Sequence, residues 1–358
     1  MNWIRRTFRP EQIRELVLIL LIGLIFAFFS TQIEGYFSPR IFNRITSDVA
    51  IITVVAVGEV LVLLTRNYDL SVGSIVGVTA YMVGTVLSRN QDMSPLAVVS
   101  LAIAMGALMG LINGLLVSFG KIPSIIVTFG TLAIYRSVLI AVSNAKTVVT
   151  DQLPKWLVDL PGTNLMTVNG FDIRPMVLMA LMIVVLFQLI ITYLPWGRRL
   201  YAIGSSPEAA RIGGLPAQRI VMLTYVVCGG LAGLAGFMYL VRFGNITVVA
   251  AQGMEMQVVA AAVVGGVSTN GGAGTMIGAL LGAFMINLLQ QSLLRWLQIS
   301  EFWIDALLGA LILLAVLIDH VIMDRLRTLW ASAALQVKSD DNQFPDSESD
   351  IKESSHVA

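Results

Sequence analysis

Long apolar runs separated by short polar stretches occupy most of the first 320 positions of the chain. A helix needs about 20 mostly apolar residues to cross the hydrocarbon core of a bilayer. The runs of about that length are Leu16–Ile33, Val49–Thr65, Leu70–Leu87, Pro95–Phe119, Ile122–Val142, Pro175–Pro195, Ile220–Leu240, Gly274–Leu289 and Phe302–Ile318. A shorter run, Val258–Val267, is expected to be a half-span or a re-entrant segment. The pattern predicts an all-α, polytopic membrane helix bundle of about ten membrane segments.

The same pattern divides the chain into three parts. Residues 1–15 carry several arginines, residues 16–320 form the predicted transmembrane domain, and residues 321–358 form a tail. The first apolar run is long and lacks a small-residue cleavage site, which favours an uncleaved first span over a signal peptide. From Lys338 the tail is acidic and poor in apolar residues, a composition that predicts disorder from about that position.

The distribution of positive charge predicts the orientation in the membrane. Cytoplasmic loops of membrane proteins carry an excess of lysine and arginine. With the N-terminus in the cytoplasm, the inner connecting segments of this chain hold more of these residues than the outer ones. Both termini are therefore expected to be cytoplasmic. The polar segment Gly204–Gly214 then faces the cytoplasm, and residues 143–174 form the longest outer loop.

Composition excludes most enzyme classes. Hydrophobic residues make up 56% of the chain and charged residues 13%, about half the charged fraction of a soluble domain. A net charge of +1 gives no reason to expect a nucleic-acid partner. One cysteine, Cys228, and two histidines supply neither a metal cluster nor a His-based triad. The only Gly-Lys pair includes Lys121 and is followed by isoleucine instead of the serine or threonine of a Walker A motif. The sequence therefore contains no Walker A motif. We expect no cofactor, no metal and no ATP hydrolysis by this chain itself.

Charged and polar residues within or beside the apolar runs are the candidates for a translocation pathway. They are Glu59, Asp69, Asn113, Arg136 and Asp305. A charge inside the membrane is unfavourable and usually lines a cavity or pairs with another charge. A structural ion pair, such as Glu59 with Arg136, is therefore the alternative interpretation. Isolated polar groups suit an uncharged, hydroxylated solute, which needs hydrogen-bond partners more than opposite charges.

Two further patterns concern packing and a short helix. Small residues recur at four-residue spacing, which predicts close helix–helix contacts in lipid; examples are Gly106, Gly110 and Gly114, and Gly229 and Gly233. The segment GSSPEAARIGG (Gly204–Gly214) has the features of a short capped helix. Ser205 is the predicted N-cap, Pro207 suits the first turn, and the two final glycines can end the helix.

Four stretches in order resemble the permease subunits of bacterial ABC importers for monosaccharides, a group that includes ribose, xylose, arabinose, galactose, rhamnose and autoinducer-2 systems. They are LVLLTRNYDLSVGSIVG (Leu61–Gly77), GLINGLLVSFGKIPSIIVTFGTLAIYRS (Gly110–Ser137), PWGRRLYAIGSSPEAARIGG (Pro195–Gly214) and GMEMQVVAAAVVGGVSTNGGAGTMIGALLGA (Gly253–Ala283). The likeness covers about residues 15–325 at family-like spacing. Together the motifs are specific to this family, although each alone is weak.

The resemblance implies a function and a set of partners. In such permeases a cytoplasmic loop helix couples to a separate ATPase subunit, and Glu208, Ala209, Ala210 and Gly214 stand at the matching positions. A periplasmic sugar-binding protein, a second permease copy or paralogue, and membrane lipid complete the expected assembly in the bacterial inner membrane. The turn Arg66–Ser71 reads RNYDLS where many relatives have a GGIDLS type, which favours the autoinducer-2 or rhamnose class.

Two other function classes remain as alternatives. The first is an ion-coupled secondary transporter of a small polar solute, driven by protons through Glu59 or Asp305. The second is a membrane enzyme or scaffold, for which the sequence offers no pairing of nucleophile and base. Sensitivity to an uncoupler while ATP is intact distinguishes the first alternative from an ATP-driven importer.

Overall fold

The computed structural model describes residues 10–36 and 38–298, together with residues 303, 306, 309, 310 and 313. Asp305, most of the run Phe302–Ile318 and the tail 321–358 lie outside the described residues. The predictions made for them stay predictions.

Helices form nearly all of the regular structure in the described part of the chain. The helices are α1 (Pro10–Gln32), α2 (Pro39–Leu64), α3 (Val72–Arg89), α4 (Pro95–Ser118), α5 (Ser124–Ser143), α6 (Lys155–Asp159), α7 (Pro175–Tyr193), α8 (Pro195–Ser205), α9 (Pro207–Ile212), α10 (Ala217–Phe243), α11 (Met254–Val264) and α12 (Met276–Leu297). Two single 3-10 turns, Thr150–Gln152 and Leu160–Gly162, and two short strands, β1 (Met166–Val168) and β2 (Phe171–Ile173), lie between α5 and α7.

Eight of these helices are long and apolar enough to cross a membrane: α1 to α5, α7, α10 and α12. They coincide with eight of the predicted runs, so an all-α, polytopic membrane protein is confirmed. Helix α11, in the place of the short run Val258–Val267, has 11 residues. At 1.5 Å per residue it is about 16 Å long, roughly half the thickness of a hydrocarbon core.

Several elements differ from the sequence prediction, and three of the differences bear on the fold. Helix α2 begins at Pro39 rather than at Val49; proline is favoured in the first turn of a helix, because its fixed φ suits the helix and its missing N–H would have no helical partner there. The run predicted to end at Pro195 ends at Tyr193, and α8 follows as a separate helix. The loop 143–174 contains an antiparallel hairpin whose turn, Asn169–Gly170, has positive φ at both residues, the usual chemistry of a two-residue hairpin turn.

Helices α2 and α10 form the centre of the bundle. Almost all of α2 from Val49 onwards is buried, and α10 packs against α3, α4 and α2. Helices α4, α5 and α7, by contrast, expose large apolar side chains along their length, including Leu108, Ile126, Phe129, Val185 and Leu186. Exposed apolar area of this extent is typical of surfaces that face lipid or another protein.

The loops lie at two ends of the bundle. We call the end that contains α8, α9 and the loop 265–275 the α9 side; there the Tyr201 hydroxyl donates to the Gly274 carbonyl at 2.7 Å. We call the opposite end the hairpin side, because it contains β1 and β2. A bridge between Val148 and Ile246 joins the loops after α5 and α10 there.

Glycines bring α4 and α10 into backbone contact. A Cβ atom at Gly106 would overlap the carbonyl oxygen of Gly229 and approach the backbone of Gly233. A Cβ at Gly110 would likewise overlap the carbonyl of Tyr225. The four-residue spacing in the sequence therefore serves close packing, as predicted for helices in lipid.

Replacing Gly106 with leucine will destabilise the protein, because the new side chain has to displace the α10 backbone. Overpacking of this kind costs about 1–3 kcal/mol and sometimes more. The single cysteine, Cys228, is buried in α10, so a fluorogenic thiol reagent will report unfolding in a thermal ramp. Gly130→Leu is the matched control, since a Cβ at Gly130 meets no atom within 4 Å. Equal losses of Tm in the two variants would contradict this packing role.

Candidate functional site

A polar cluster forms where α2 ends and α3 begins. The backbone N–H of Asp69 donates to Glu59 Oε1 at 3.2 Å. Asp69 Oδ1 accepts from the Ser71 N–H at 3.0 Å and from the Ser71 hydroxyl at 2.6 Å. Asn113 on α4 donates to the Ser71 hydroxyl at 2.8 Å and more weakly to Asp69 Oδ1. The structure thus brings together three of the five candidate pathway residues, Glu59, Asp69 and Asn113.

The cluster is sealed within the chain. Glu59, Asp69, Ser71 and Asn113 have no exposed surface, while Glu59 Oε2 and Asp69 Oδ2 have no hydrogen-bond donor within the described structure. Burial raises the pKa of the Asp69 carboxyl, and the hydrogen bonds from Ser71 and Asn113 oppose that rise. The carboxyl groups therefore hold the turn 65–71 through hydrogen bonds and are closed to solvent in this conformation.

Two tyrosines that the sequence analysis did not single out complete the cluster. The Tyr135 hydroxyl donates to the Met109 carbonyl at 2.9 Å and lies 3.4 Å from Asn113 Oδ1. The Tyr225 hydroxyl donates to the Tyr68 carbonyl at 2.9 Å. A tyrosine within an apolar run is a weak sequence signal, because most such residues only pack. Their role becomes visible only when α4, α5 and α10 are placed around the turn.

Arg136 lies apart from this cluster, and the Glu59–Arg136 ion pair considered as an alternative is wrong. The Arg136 guanidinium donates to the carbonyl oxygens of Ala250 at 2.7 Å and Val248 at 3.3 Å. These carbonyls belong to the irregular stretch between α10 and α11, where backbone acceptors have no helical donors. Arg136 therefore fixes this stretch against α5, while Glu59 is occupied by the turn 65–71.

Helices α3 and α11 both begin in the interior of the bundle. A Cβ at Gly73, in the first turn of α3, would meet Ala251 and Glu255, which lie at the start of α11. From this point α3 runs to the hairpin side and α11 to the α9 side. Interrupted helices whose N-termini meet inside a bundle form the solute and ion sites of many membrane transporters. The polar cluster holds the turn before α3, and Arg136 holds the stretch before α11, so both adjoin such a junction.

The segment Gly204–Gly214 contains the predicted short helix, but its cap is shifted by one residue. Helix α9 begins at Pro207, and the Ser206 hydroxyl, rather than Ser205, accepts the N–H of Ala209 at 3.3 Å. Ser205 is instead the last residue of α8, which the polar composition of this region concealed. Gly214, with φ of +71°, occupies the left-handed position that commonly ends a helix.

The faces of α9 differ in exposure. Glu208, Ala209, Arg211 and Ile212 are exposed, and Ile212 retains 80% of its surface. Ala210 is buried in the hydrophobic core of the chain. A six-residue helix thus presents a largely exposed isoleucine, together with the charged side chains of Glu208 and Arg211, at an end of the bundle. Ile212 is a residue that the sequence analysis missed, because it reads as part of the flanking apolar pattern.

An arginine joins this segment to the turn that holds the polar cluster. The Arg66 guanidinium donates to the Gly204 carbonyl and, at 2.9 Å, to the Ser205 carbonyl. These are the last carbonyls of α8, which lack helical donors and lie at the negative end of the helix dipole. In addition, the Gly272 N–H donates to the Leu64 carbonyl at 3.1 Å. Arg66 and Gly272 therefore connect the end of α8 and the loop 265–275 to residues 64–66.

Comparison with known proteins assigns the chain to a family. A family model described as "Branched-chain amino acid transport system / permease component" matches residues 41–316. The chain belongs to this permease family. The matched region of the permease includes the polar cluster, α9 and both interrupted helices, so the features described above are part of the family domain.

Relatives of the permease carry a more specific name. The "Autoinducer 2 import system permease protein LsrC" of Yersinia enterocolitica serotype O:8 is 34% identical over 307 residues, which cover 85% of this chain and 82% of the relative. The protein of the same name from Photorhabdus laumondii is 34% identical over 307 residues, with coverage of 85% and 88%. No solved structure matches the chain.

These matches confirm the resemblance to ABC importer permeases. The permease is a multi-pass protein of the bacterial inner membrane whose role is transport. Among its described residues, no three His, Cys, Asp or Glu side chains are grouped so that they could hold a metal ion.

Proposed function

We propose that this permease is the membrane subunit of an ATP-driven importer for a sugar-like solute of the autoinducer-2 class. The names of relatives at 34% identity support this solute class. Sequence favours an orientation in which the α9 side faces the cytoplasm, with both termini on that side and ten membrane segments. A periplasmic binding protein then delivers solute to the hairpin side.

The observation that carries the proposal is the geometry of α9. It is a capped, rigid helix whose exposed face contains Ala209 and Ile212, small and apolar groups that fit into a groove of a partner. We assign that groove to a separate cytoplasmic ATPase. Glu208 and Arg211 border this face, Gly214 ends the helix, and Ala210 seats it on the permease.

The remaining candidate residues act through the interrupted helices. Glu59, Asp69 and Asn113 hold the turn before α3, and Arg136 holds the stretch before α11. In this proposal they control the pathway by positioning these helix starts, and the sealed cluster opens only when the turn moves. A second permease copy or paralogue completes the pathway against the exposed apolar surface of the bundle, and lipid covers the rest.

Uptake is expected to require ATP and to be independent of a proton gradient. Proteoliposomes that contain the permease, its ATPase and its binding protein should accumulate autoinducer 2 with ATP on the ATPase side, and an uncoupler should leave the initial rate unchanged. The control omits the ATPase. Uptake by the permease alone down an ion gradient would instead support the secondary transporter.

Glu59→Gln is expected to retain uptake. Only Oε1 of Glu59 is hydrogen-bonded, to the Asp69 N–H, and an amide oxygen accepts the same bond. Glu59→Leu removes the acceptor and leaves a buried N–H without a partner, which costs about 1–3 kcal/mol, so this variant should lose thermal stability and uptake. Initial rates in the same proteoliposomes check both. If Glu59→Gln is as inactive as Glu59→Leu, proton transfer through Glu59 is required.

A further inference from the structure

A cavity of about 270 Å³ lies on the hairpin side of the point where α3 and α11 begin, and no residue of the polar cluster or of α9 lines it. Helices α2, α10, α11 and α12 surround it, and the stretch before α11 forms its rim. Phe243 and Val249 stand at the opening with about half of their surfaces exposed. The cavity has no role in the function derived above.

Asp48 lines one wall of this cavity and is ion-paired with Arg242, which lies outside the lining. Asp48 Oδ1 accepts from Arg242 Nε at 2.9 Å, and Asp48 Oδ2 lies 3.4 Å from the Gln291 amide nitrogen. A carboxylate can accept about four hydrogen bonds, so Asp48 retains acceptor capacity toward the cavity. Because Arg242 neutralises its charge, the wall offers hydrogen bonds without attracting a counter-ion.

An unsatisfied amide lies deeper in the same cavity. Asn287 is 4% exposed, lines the cavity, and its Oδ1 has no hydrogen-bond donor within the described structure. Buried polar atoms in proteins are nearly always hydrogen-bonded, so an acceptor left open at a cavity wall indicates a donor supplied from inside the cavity. Gln257 on α11 adds a second amide to the cavity wall, whereas Gln252 is exposed at the rim.

Two aromatic rings also line the cavity. The centroids of Tyr239 and Phe243 are 4.4 Å apart, and both rings line the cavity. The combination of an apolar aromatic wall, several amides and a neutralised carboxylate suits a molecule with hydroxyl groups on its edge and C–H groups on its face. The volume limits the occupant to a small molecule.

We propose that this cavity binds an uncharged polyhydroxylated molecule of monosaccharide size on the permease itself. The inference rests on the proposed function, because the hairpin side then faces the delivering binding protein. Solute released from that protein occupies the cavity, donates a hydroxyl to Asn287 Oδ1 and stacks near Tyr239 before it moves inward. Each permease chain carries one such site.

Protection from thiol modification tests occupancy directly. Gln252 is exposed on the rim, and the native Cys228 is buried. In purified full-length permease in nanodiscs, D-ribose, D-xylose, L-arabinose or L-rhamnose should slow modification of Gln252→Cys by a polar thiol reagent severalfold. Gln91→Cys is the control, because Gln91 is exposed near the same side and does not line the cavity. Unchanged rates with all four sugars would overturn the inference.

Charged probes in the same protection assay test which chemical class of molecule the cavity binds. D-ribose 5-phosphate and L-leucine should not protect Gln252→Cys, since the one charged residue that lines the cavity, Asp48, is paired with Arg242, and no lysine or arginine lines it. Protection by L-leucine in the absence of protection by the sugars would assign the cavity to amino acids and refute a polyol site.

The variant Asn287→Leu tests the unsatisfied acceptor. It should weaken sugar binding about tenfold, as expected for loss of a buried hydrogen bond, measured by saturation-transfer NMR on the permease in nanodiscs. Gln290→Leu is the matched control, because the Gln290 amide nitrogen is also without a partner in the described structure but lies outside the cavity. Gln257→Leu is a second variant in case Asn287→Leu fails to fold. Wild-type affinity in folded Asn287→Leu and Gln257→Leu would refute the site.

These measurements separate the inference from the proposed function. Binding is tested on the permease without ATPase or ATP, whereas the function is tested by ATP-dependent uptake. ATP-driven uptake without cavity binding would refute only the inference. Cavity binding together with ion-driven uptake would refute only the proposed importer.

Discussion

Replacing Arg66 with alanine should separate ATP hydrolysis from solute uptake. The Arg66 guanidinium is the direct side-chain link between the end of α8 and the turn 65–71. Hydrogen bonds from a charged donor contribute about 1.5–3 kcal/mol, so without them α9 can move while the turn before α3 stays in place. Uptake should fall at least about tenfold, whereas the ATPase remains bound and hydrolyses ATP near its basal rate.

The measurement is the ratio of solute imported to ATP hydrolysed in proteoliposomes of the whole complex. Arg66→Lys should restore part of the ratio, because lysine keeps the charge but loses the planar fork that reaches two carbonyls. Lys121→Ala is the matched control; it removes an exposed cation from the α9 side without touching α8. If Arg66→Ala lowers ATP hydrolysis and uptake in equal proportion, Arg66 supports assembly and does not transmit movement.

Hydropathy predicted the spans well for a physical reason. In lipid, every backbone group must be satisfied within its own helix, so a long apolar run has little choice but to form one. Capping chemistry likewise predicted α9, with an error of one residue at Ser206. The predicted boundaries were wrong where a helix continues into charged and polar residues. Helix α2 begins ten residues before its apolar run, on the hairpin side. Asp48 lies in that extension, paired with Arg242, and a hydropathy scan reads it as loop.

The sites were less predictable because they are assembled from distant segments. Glu59 was recognised as unusual, yet its partner is the backbone of Asp69 rather than the charge of Arg136. Glu59 has this partner because the turn 65–71 folds back into the bundle and brings the Asp69 N–H to the Glu59 carboxylate. The cavity near Asn287 draws on four helices and a loop. No spacing within one segment could reveal it.

Exposure on α9 also changes the role predicted for one coupling residue. Glu208, Ala209, Ala210 and Gly214 were expected to act together, but Ala210 points into the permease core. Side chains three or four positions apart lie on the same face of a helix. Ala209 and Ile212 are three apart and both exposed. They are therefore the pair through which we expect the ATPase to be held.

Ala209→Arg combined with Ile212→Asp should detach the ATPase and abolish uptake. A bulky charge replaces a small side chain and a carboxylate replaces the apolar anchor, so both groups would be forced into the partner's groove unpaired. Truncating a hot-spot residue of an interface costs about 2 kcal/mol or more. Two such changes should weaken ATPase binding at least about 100-fold. Co-purification of the ATPase with the tagged permease measures the loss.

Thermal unfolding separates loss of docking from loss of fold. The double variant should keep the wild-type Tm, since both side chains are exposed, whereas Ala210→Arg should lower Tm because Ala210 is buried. Arg199→Ala, an exposed change on the neighbouring helix α8, should alter neither Tm nor co-purification strongly. A double variant that retains both the ATPase and normal uptake would show that the ATPase docks elsewhere, and α9 would then be only a connection between α8 and α10.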